Sequence, residues 1–211
     1  MAYGNQEHTS LLGGYQPVTL ATERGEIRCR VHAAPAAERG VVWAGGIGSG
    51  WDSPARDLFP RLAEELAGED IASLRVRYRH PTDLAESVFD VLAGLRYLET
   101  QGVRRFGLVG HSFGGAVVIQ AAAKVPAVTA VATLATQGYG AGPAATLGPR
   151  AALLLIHGKD DEVVPCESTE YVHRLAREPK RMVLFSGARH GLDEVGDRVH
   201  REVRDWLLSR V

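Results

Sequence analysis

The sequence predicts an α/β fold in which a mostly parallel sheet of about eight strands carries helices on both faces. Short apolar runs of strand length alternate along the chain with longer segments whose apolar residues recur at helical spacing. Parallel strands need crossover connections, and these are usually helices. The 211 residues are 45% hydrophobic, enough for one substantial core, and no repeat or low-complexity linker divides them. We therefore expect a single domain over residues 1–211, with a loosely ordered extension at residues 1–16.

The predicted elements follow one another in a regular order. Residues 17–22 and 26–33 are predicted to form a hairpin that turns at residues 23–25. The other predicted strands are 40–44, 71–78, 103–109, 128–134, 151–157 and 181–185, and the predicted helices are 54–68, 81–100, 113–124, 167–177 and 194–210. In sheets of this kind ligands bind beyond the carboxyl ends of the strands, so residues that directly follow a strand are the candidates for a functional site.

Composition and charge argue against several classes of partner. The formal net charge is -1, with 24 basic and 25 acidic residues spread along the chain, so no one-signed field favours nucleic acid or a membrane surface. The first ten residues lack the basic and apolar regions of a secretory signal, and no apolar run approaches the roughly 20 residues of a membrane span. Cys29 and Cys166 have neither metal-site spacing nor partners for a disulfide framework. We expect a cytoplasmic protein that uses no metal and no cofactor.

Ser112 is the candidate nucleophile. It follows the strand predicted at 103–109 and precedes the helix predicted at 113–124, with Gly110 and Gly114 two residues away on each side. Side chains at those two positions would collide in a tight strand-to-helix turn, and glycine removes them. The alternative is a glycine-rich turn with a bystander serine. A serine hydroxyl becomes nucleophilic only when a base takes its proton and a third group orients that base.

A base and a set of acids also follow strands. His190 stands in the loop after the last strand, whereas the other histidines considered precede the fold, lie in the hairpin or on helices, or face away within the elbow: His8, His32, His173, His200 and His111. Asp160, Asp161 and Glu162 follow the strand at 151–157, and chemistry alone does not choose among them. They could equally form a solvated acidic turn. The chain order of serine, acid and histidine favours a catalytic arrangement.

At this point the chain resembles the α/β-hydrolase superfamily, from about residue 17 to the end. The nucleophile elbow of that family matches Gly110-His111-Ser112-Phe113-Gly114, its acid loop H-G-x-x-D-x-x-V-P matches residues 157–165, and its histidine loop G-x-x-H matches residues 187–190. The resemblance implies a triad of Ser112, Asp161 and His190. Residues 135–150 are too few for a cap domain, so the likeness is to small members without a lid, such as the dienelactone-hydrolase-like enzymes.

The resemblance also implies an oxyanion hole. Many members carry histidine where this chain has Gly45, but the donors are backbone groups, namely the N–H groups of Ile47 and Phe113. We further expect Trp51, Gln137 and Tyr139 to line the substrate pocket. Residues 75, 77 and 79 are arginines that alternate with apolar residues. We interpret them first as one solvent-exposed face of a strand end. The alternative is that Arg79 or His80, near the carboxyl edge of the sheet, attracts an anionic substrate group.

These observations predict a serine hydrolase that cleaves a small-molecule carboxylic ester through an acyl-enzyme intermediate. A thioesterase or acyl-protein hydrolase would use the same triad and stays open as the alternative. A hydrolase fold that binds without turnover is the third hypothesis, because a fold alone never establishes an activity.

Overall fold

The fold is described from a computed structural model that covers residues 14–48 and 50–211 of the chain. Most of the predicted extension at 1–16 lies outside the described residues, and Gln16 already belongs to the first strand. The described strands are β1 Gln16–Thr22, β2 Gly25–His32, β3 Arg39–Ala44, β4 Ile71–Arg77, β5 Arg105–His111, β6 Val128–Leu134, β7 Ala152–Gly158 and β8 Lys180–Phe185. The described α-helices are α1 Pro54–Ala67, α2 Leu84–Thr100, α3 Phe113–Lys124, α4 Glu167–Leu175 and α5 Gly196–Arg210.

All eight described strands form one sheet in the order β1-β2-β4-β3-β5-β6-β7-β8. The β1–β2 and β2–β4 pairs are antiparallel, and the remaining pairs are parallel. The predicted α/β class, the strand number and the mostly parallel sheet are confirmed. Because β3, β5, β6, β7 and β8 run in the same direction, the loops that follow them share one edge of the sheet.

Helices cover both faces of this sheet and enclose two apolar cores. On one face, α2, α3 and α4 bury residues such as Val91, Ile119 and Val172. On the other face, α1 and α5 bury residues such as Leu62 and Leu207. Since both faces are covered, the central strands are predominantly apolar, which explains the long apolar runs in the sequence.

The element boundaries depart from the predictions by a few residues. Helix α2 begins at Leu84 rather than at 81, because the Asp83 side chain caps it by accepting the Glu86 backbone N–H at 3.0 Å. Strand β5 extends to His111, so the turn that carries Ser112 starts at the very end of the strand. A 3₁₀ turn at Gly142–Thr146, in the short connection that replaces a cap, was not predicted.

The interpretation of the arginines in β4 as a solvent-exposed face is wrong. The strand is buried on both faces from Ile71 to Val76, and only Arg77 at its end is half-exposed. Arg75 is just 4% exposed and donates a hydrogen bond to the backbone carbonyl of Trp51. The Trp51 ring also lies against the Arg75 guanidinium, with the ring centroid 5.8 Å from it, so the loop after β3 covers the face that the sequence pattern had suggested was open to solvent.

Candidate active site

Ser112 lies at a sharp turn between β5 and α3. Its backbone has φ 56° and ψ -118°, a conformation that non-glycine residues rarely adopt and that costs on the order of 1–3 kcal/mol. Two hydrogen bonds hold the turn: the Ser112 N–H donates to the carbonyl of Leu134 at 2.8 Å, and the Gly115 N–H donates to the carbonyl of Ser112 at 3.0 Å. Hydrogen bonds to β6 and to the first turn of α3 therefore hold the Ser112 backbone in its strained conformation.

The flanking glycines are required by close backbone approach. A Cβ at Gly110 would lie 2.5 Å from the carbonyl carbon of Gly114, and a Cβ at Gly114 would lie 2.5 Å from the carbonyl oxygen of Ala44. Real Cβ atoms essentially never come this close to backbone atoms. The prediction that side chains two residues from the serine would collide is confirmed. A side chain at 114 would also collide with the backbone at the end of β3.

Asp161 follows β7, and its side chain is fully buried. Its Oδ1 accepts the backbone N–H groups of Val163 and Val164 at 2.8 and 2.9 Å. Its Oδ2 lies 2.7 Å from Nδ1 of His190 and 3.0 Å from Nε2 of His157. Burial acts to raise the pKa of the carboxyl, but the hydrogen bonds from Val164, His190 and Val163 outweigh it, so the pKa lies below its usual value. The aspartate is therefore ionised and accepts hydrogen bonds from four donors.

The geometry separates Asp161 from its two acidic neighbours. Asp160 faces the next loop, where its carboxylate accepts the Gly187 N–H at 3.1 Å, and Glu162 is exposed. Asp160 and Asp161 thus both contact the histidine loop, and it is Asp161 whose carboxylate is hydrogen-bonded to the ring of His190. The sequence left the choice among the three acids open, and in the folded loop the hydrogen bond to His190 comes from Asp161.

His190 and Ser112 line one cavity at the carboxyl edge of the sheet, with a volume of about 370 Å³. Because Nδ1 of His190 is bonded to Asp161, its Nε2 is the ring nitrogen that remains for a proton-transfer partner. The hydrogen bonds between described residues do not include a direct one from the Ser112 hydroxyl to this ring. Catalytic hydrogen bonds are often long in unliganded sites and tighten when substrate binds.

The loop after β3 passes close to the serine. A Cβ at Gly46 would lie 3.6 Å from the Cβ of Ser112, and Ile47 follows it on the wall of the cavity. Phe113 is the first residue of α3, so its N–H has no acceptor within the helix. Both features suit a pair of backbone donors for a developing negative charge.

This loop is tied to the histidine loop by an unusual first turn of α1. Ala55, Arg56 and Asp57 all have positive φ, between 52° and 59°. The Ala55 N–H donates to the carbonyl of Gly191 at 2.7 Å, and the Arg56 N–H donates to Oδ1 of Asp193 at 2.8 Å. The two loops that flank the cavity are thus joined by one main-chain hydrogen bond and by one from a backbone N–H to a side-chain carboxylate.

The expected pocket residues do not line this cavity. The guanidinium of Arg30 lies over the Trp51 ring, 4.1 Å from the ring centroid. Trp51 is not among the residues that line the cavity. The Gln137 side chain donates to the carbonyl of Tyr139 at 2.9 Å, and the Tyr139 side chain is 82% exposed. Sequence position placed all three near strand ends, but their side chains turn to other contacts.

Arg79 does not offer a free cation to a substrate. Its side chain is 8% exposed and forms ion pairs with Asp90 and Glu86, each at 2.7 Å. These partners lie on α2, so the pattern within β4 could not reveal them. The charged residues that do line the cavity are two acids, Asp52 and Asp193, apart from the histidines.

Sequence reasoning also missed two histidines. His111 was set aside as facing away, yet it lines the cavity, and its Nε2 donates to the carbonyl of His190 at 3.0 Å. Burial lowers the pKa of His111 to about 4, so the ring is neutral at pH 7. His157 lies fully buried behind Asp161 and is the first residue of the acid-loop motif, which was the available signal.

Neither a metal cluster nor a spanning helix occurs in the part of the chain that is described. Across residues 14–48 and 50–211, no three His, Cys, Asp or Glu side chains are grouped to hold a metal ion. Over the same ranges, every helix is too short or too polar to cross a bilayer. Cys29 and Cys166 are free thiols.

Comparison with solved structures identifies the fold. Dienelactone hydrolase from Anabaena variabilis ATCC 29413 superposes with a TM-score of 0.78 at 22% identity, over 94% of this chain and 99% of that one. Est1E from Butyrivibrio proteoclasticus gives 0.76 at 17% identity, over 92% and 98% of the two chains. XC6422 from Xanthomonas campestris, an α/β serine hydrolase without a lid, gives 0.71 at 18% identity, over 95% and 98%. The chain thus has the α/β-hydrolase fold without a cap domain.

Sequence comparison gives the family. The uncharacterised protein YfhR of Escherichia coli K12 is 46% identical over 61 residues, which are 27% of this chain and only 21% of that protein. The model of the dienelactone hydrolase family matches residues 49–204, most of the chain. The protein therefore belongs to the dienelactone hydrolase family.

Proposed function

We propose that the protein is a serine hydrolase of carboxylic esters, with Ser112 as nucleophile, His190 as general base and Asp161 as the residue that orients His190. The observation that carries this proposal is the 2.7 Å hydrogen bond between Asp161 and Nδ1 of His190, at the wall of a cavity that Ser112 also lines. This bond fixes the tautomer in which Nε2 is free to accept the serine proton. Esterase and hydrolase neighbours of the same fold agree with it.

The reaction would proceed in two halves. Oγ of Ser112 attacks the ester carbonyl while Nε2 of His190 takes its proton, and the tetrahedral intermediate collapses as the proton passes to the leaving alcohol. Water then attacks the acyl-enzyme in the same way and releases the acid. The cavity is open to solvent along its rim, since Ile47 is 58% and Val163 is 69% exposed, so water has ready access for this second half.

The oxyanion of each intermediate would be held by the N–H groups of Ile47 and Phe113. The N–H of Phe113 stands at the amino end of α3, where the helix dipole favours negative charge. Removing one such donor typically costs about 3–4 kcal/mol of transition-state stabilisation. In this proposal the strained backbone of Ser112 would bring its hydroxyl next to these groups.

The charges at the cavity favour a neutral ester over an anionic one. Asp52 and Asp193 line the cavity, and Arg79, the cation considered for an anionic substrate, is already paired with Asp90 and Glu86. Two carboxylates at the wall of the cavity would repel a further negative charge. A carboxylated substrate would therefore be the poorer one.

The test is hydrolysis of p-nitrophenyl esters of increasing acyl length by the native protein and by Ser112→Ala, with Ser209→Ala at the end of α5 as the matched control. We expect Ser112→Ala to lose at least about a thousandfold in kcat/KM and the control to keep its rate. Thioesters of the same acyl groups separate an esterase from a thioesterase. Native protein that is folded yet hydrolyses none of these substrates would favour the binding protein without turnover, and activity that survives in Ser112→Ala would contradict the proposal.

A further inference from the structure

His157 is a fully buried histidine whose two ring nitrogens are both engaged. Its Nε2 lies 3.0 Å from Oδ2 of Asp161 and 2.9 Å from the carbonyl oxygen of Val164. Its Nδ1 lies 2.6 Å from Oγ1 of Thr169, a residue of α4 that is also fully buried. The ring thus bridges the acid loop and a helix on the face of the sheet.

The partners decide where the ring proton resides. A carbonyl oxygen and an ionised carboxylate only accept hydrogen bonds, so Nε2 must donate to Val164 and Asp161. In the neutral ring Nδ1 then accepts, and the Thr169 hydroxyl is its donor. The two acceptors therefore fix which way the ring donates, and the Thr169 hydroxyl supports this tautomer by donating to Nδ1.

The carboxylate of Asp161 is shared by two imidazoles. Its Oδ1 is held by two backbone N–H groups, and its Oδ2 accepts from both His157 and His190. A carboxylate has about four lone-pair sites, so all of them are used and none remains for water. The oxygen that faces His190 is the one that His157 also holds.

We propose that His157 is a positioning residue for the active site described above: by donating from Nε2 it fixes Oδ2 of Asp161 in line with Nδ1 of His190 and draws electron density away from that oxygen. The proposal rests on the proposed function for its effect on catalysis. The chain Thr169–His157–Asp161–His190 is then a continuous row of hydrogen bonds from α4 to the proposed general base.

A purely structural role explains this ring less well. The four residues before it in β7, from Leu153 to Ile156, are apolar and fully buried, and an apolar side chain at 157 would avoid the cost of burying an imidazole. That cost is offset only because each ring nitrogen meets a partner of the right kind. Of those partners, Asp161 alone contacts His190.

Two consequences can be measured separately. Loss of the His157 donor lets the carboxylate move, so the His190 ring is less well oriented and kcat falls. Loss of the same donor also makes the carboxylate a stronger acceptor, which stabilises the protonated form of His190. The acid limb of the rate profile then moves to higher pH, whereas a simple loss of packing would lower stability and leave the limb in place.

The experiment compares His157→Leu, His157→Gln and Thr169→Val with the native protein and with His173→Gln, a control on the same helix as Thr169. We expect His157→Leu to lower kcat about 10–100-fold, the range for such supporting partners. We also expect the acid limb of kcat/KM to move up by about 0.5 pH unit. His157→Gln, whose amide can donate from nearly the same place, should return the acid limb of kcat/KM to its native position. Thr169→Val should shift it in the same direction by less, and this variant carries the test if His157→Leu does not fold.

A second readout does not depend on any activity. Nitrogen-15 NMR of the ring should show a proton on Nε2 of His157. A ring protonated on Nδ1 alone would overturn the proposal, because it could not donate to Asp161. A folded His157→Leu or Thr169→Val with an unshifted acid limb would overturn it as well. If the native protein hydrolyses no ester, the proposed function fails, and the NMR result still decides the position of the proton.

Discussion

Replacing Asp161 with asparagine tests the candidate site most sharply without changing its shape. Each carboxylate oxygen accepts two hydrogen bonds: Oδ1 from the N–H groups of Val163 and Val164, and Oδ2 from His157 and His190. The amide of asparagine has one oxygen and one NH₂ group, so in either orientation its NH₂ faces two donors.

The two orientations differ in cost, and the difference predicts the outcome. Backbone N–H groups cannot change, so the amide oxygen should stay on Val163 and Val164 and the NH₂ should face the rings. His190 can then make a bond only by moving its proton to Nε2, which leaves it unable to take a proton from Ser112. The wrong tautomer costs about 10⁴ in kcat in serine hydrolases. Two lost bonds to a charged group cost about 3–6 kcal/mol in the free energy of unfolding, and Tm falls by roughly 10 °C.

The assay is kcat on a neutral p-nitrophenyl ester together with urea unfolding, and Asp160→Asn is the control. Asp160 is the adjacent acid, and an amide oxygen at that position can still accept the Gly187 N–H. We expect the control to stay within about twofold of the native rate. If Asp161→Asn unfolded at the same urea concentration as the native protein and kept kcat within tenfold of the native value, the account in which four donors hold this carboxylate would be refuted.

Three further predictions concern backbone geometry and pH. Gly114→Ala should lower the free energy of unfolding by about 3 kcal/mol and the rate by at least about 100-fold, because its Cβ would press on backbone at the end of β3; a variant with native urea unfolding would contradict this. Gly102 has φ +104° and open space around its Cα, so Gly102→Ala should lower the free energy of unfolding in urea by about 1–2 kcal/mol. Gly142 also has open space but no positive φ, so Gly142→Ala should leave the free energy of unfolding unchanged. Equal effects of the two substitutions would argue against backbone strain at residue 102. Burial is the largest cause that lowers the pKa of His32 and of His111 from 6.5 to about 4. Between pH 6.5 and pH 4 the unfolded chain therefore binds more protons than the folded one, and the free energy of unfolding falls as the pH drops. The loss should reach about 3 kcal/mol per ring. Urea midpoints that stay constant from pH 7 to pH 4.5 would contradict that sign.

Much of the fold could be predicted because its signals are local. Alternating apolar runs and helical spacing identify strands and helices one segment at a time, and the predicted boundaries of α3 and β6 agree with the structure. The elbow at Ser112 was predictable for the same reason, since strand, glycines and helix are contiguous. Deviations occur where a side chain sets the limit, as Asp83 does when it caps α2.

The parts of the site that escaped prediction depend on contacts between distant segments. Arg79 was expected near a substrate, but its partners Asp90 and Glu86 come from α2. Trp51 was expected in the pocket, but Arg30 of β2 covers its ring. Composition around a strand end cannot say which way such side chains turn. The choice of Asp161 among three acids needed the motif, because only the folded loop shows which carboxylate meets the backbone donors.

The central claim is that one serine hydroxyl, activated by one imidazole, performs the chemistry. Reaction of the folded protein with a fluorophosphonate, followed by mass mapping of the adduct, tests it most directly. The account predicts one adduct per chain on Ser112, none on Ser112→Ala, and reaction slowed by at least about a hundredfold in His190→Ala. An adduct at the same rate on another residue, or folded native protein that stays unmodified, would contradict it.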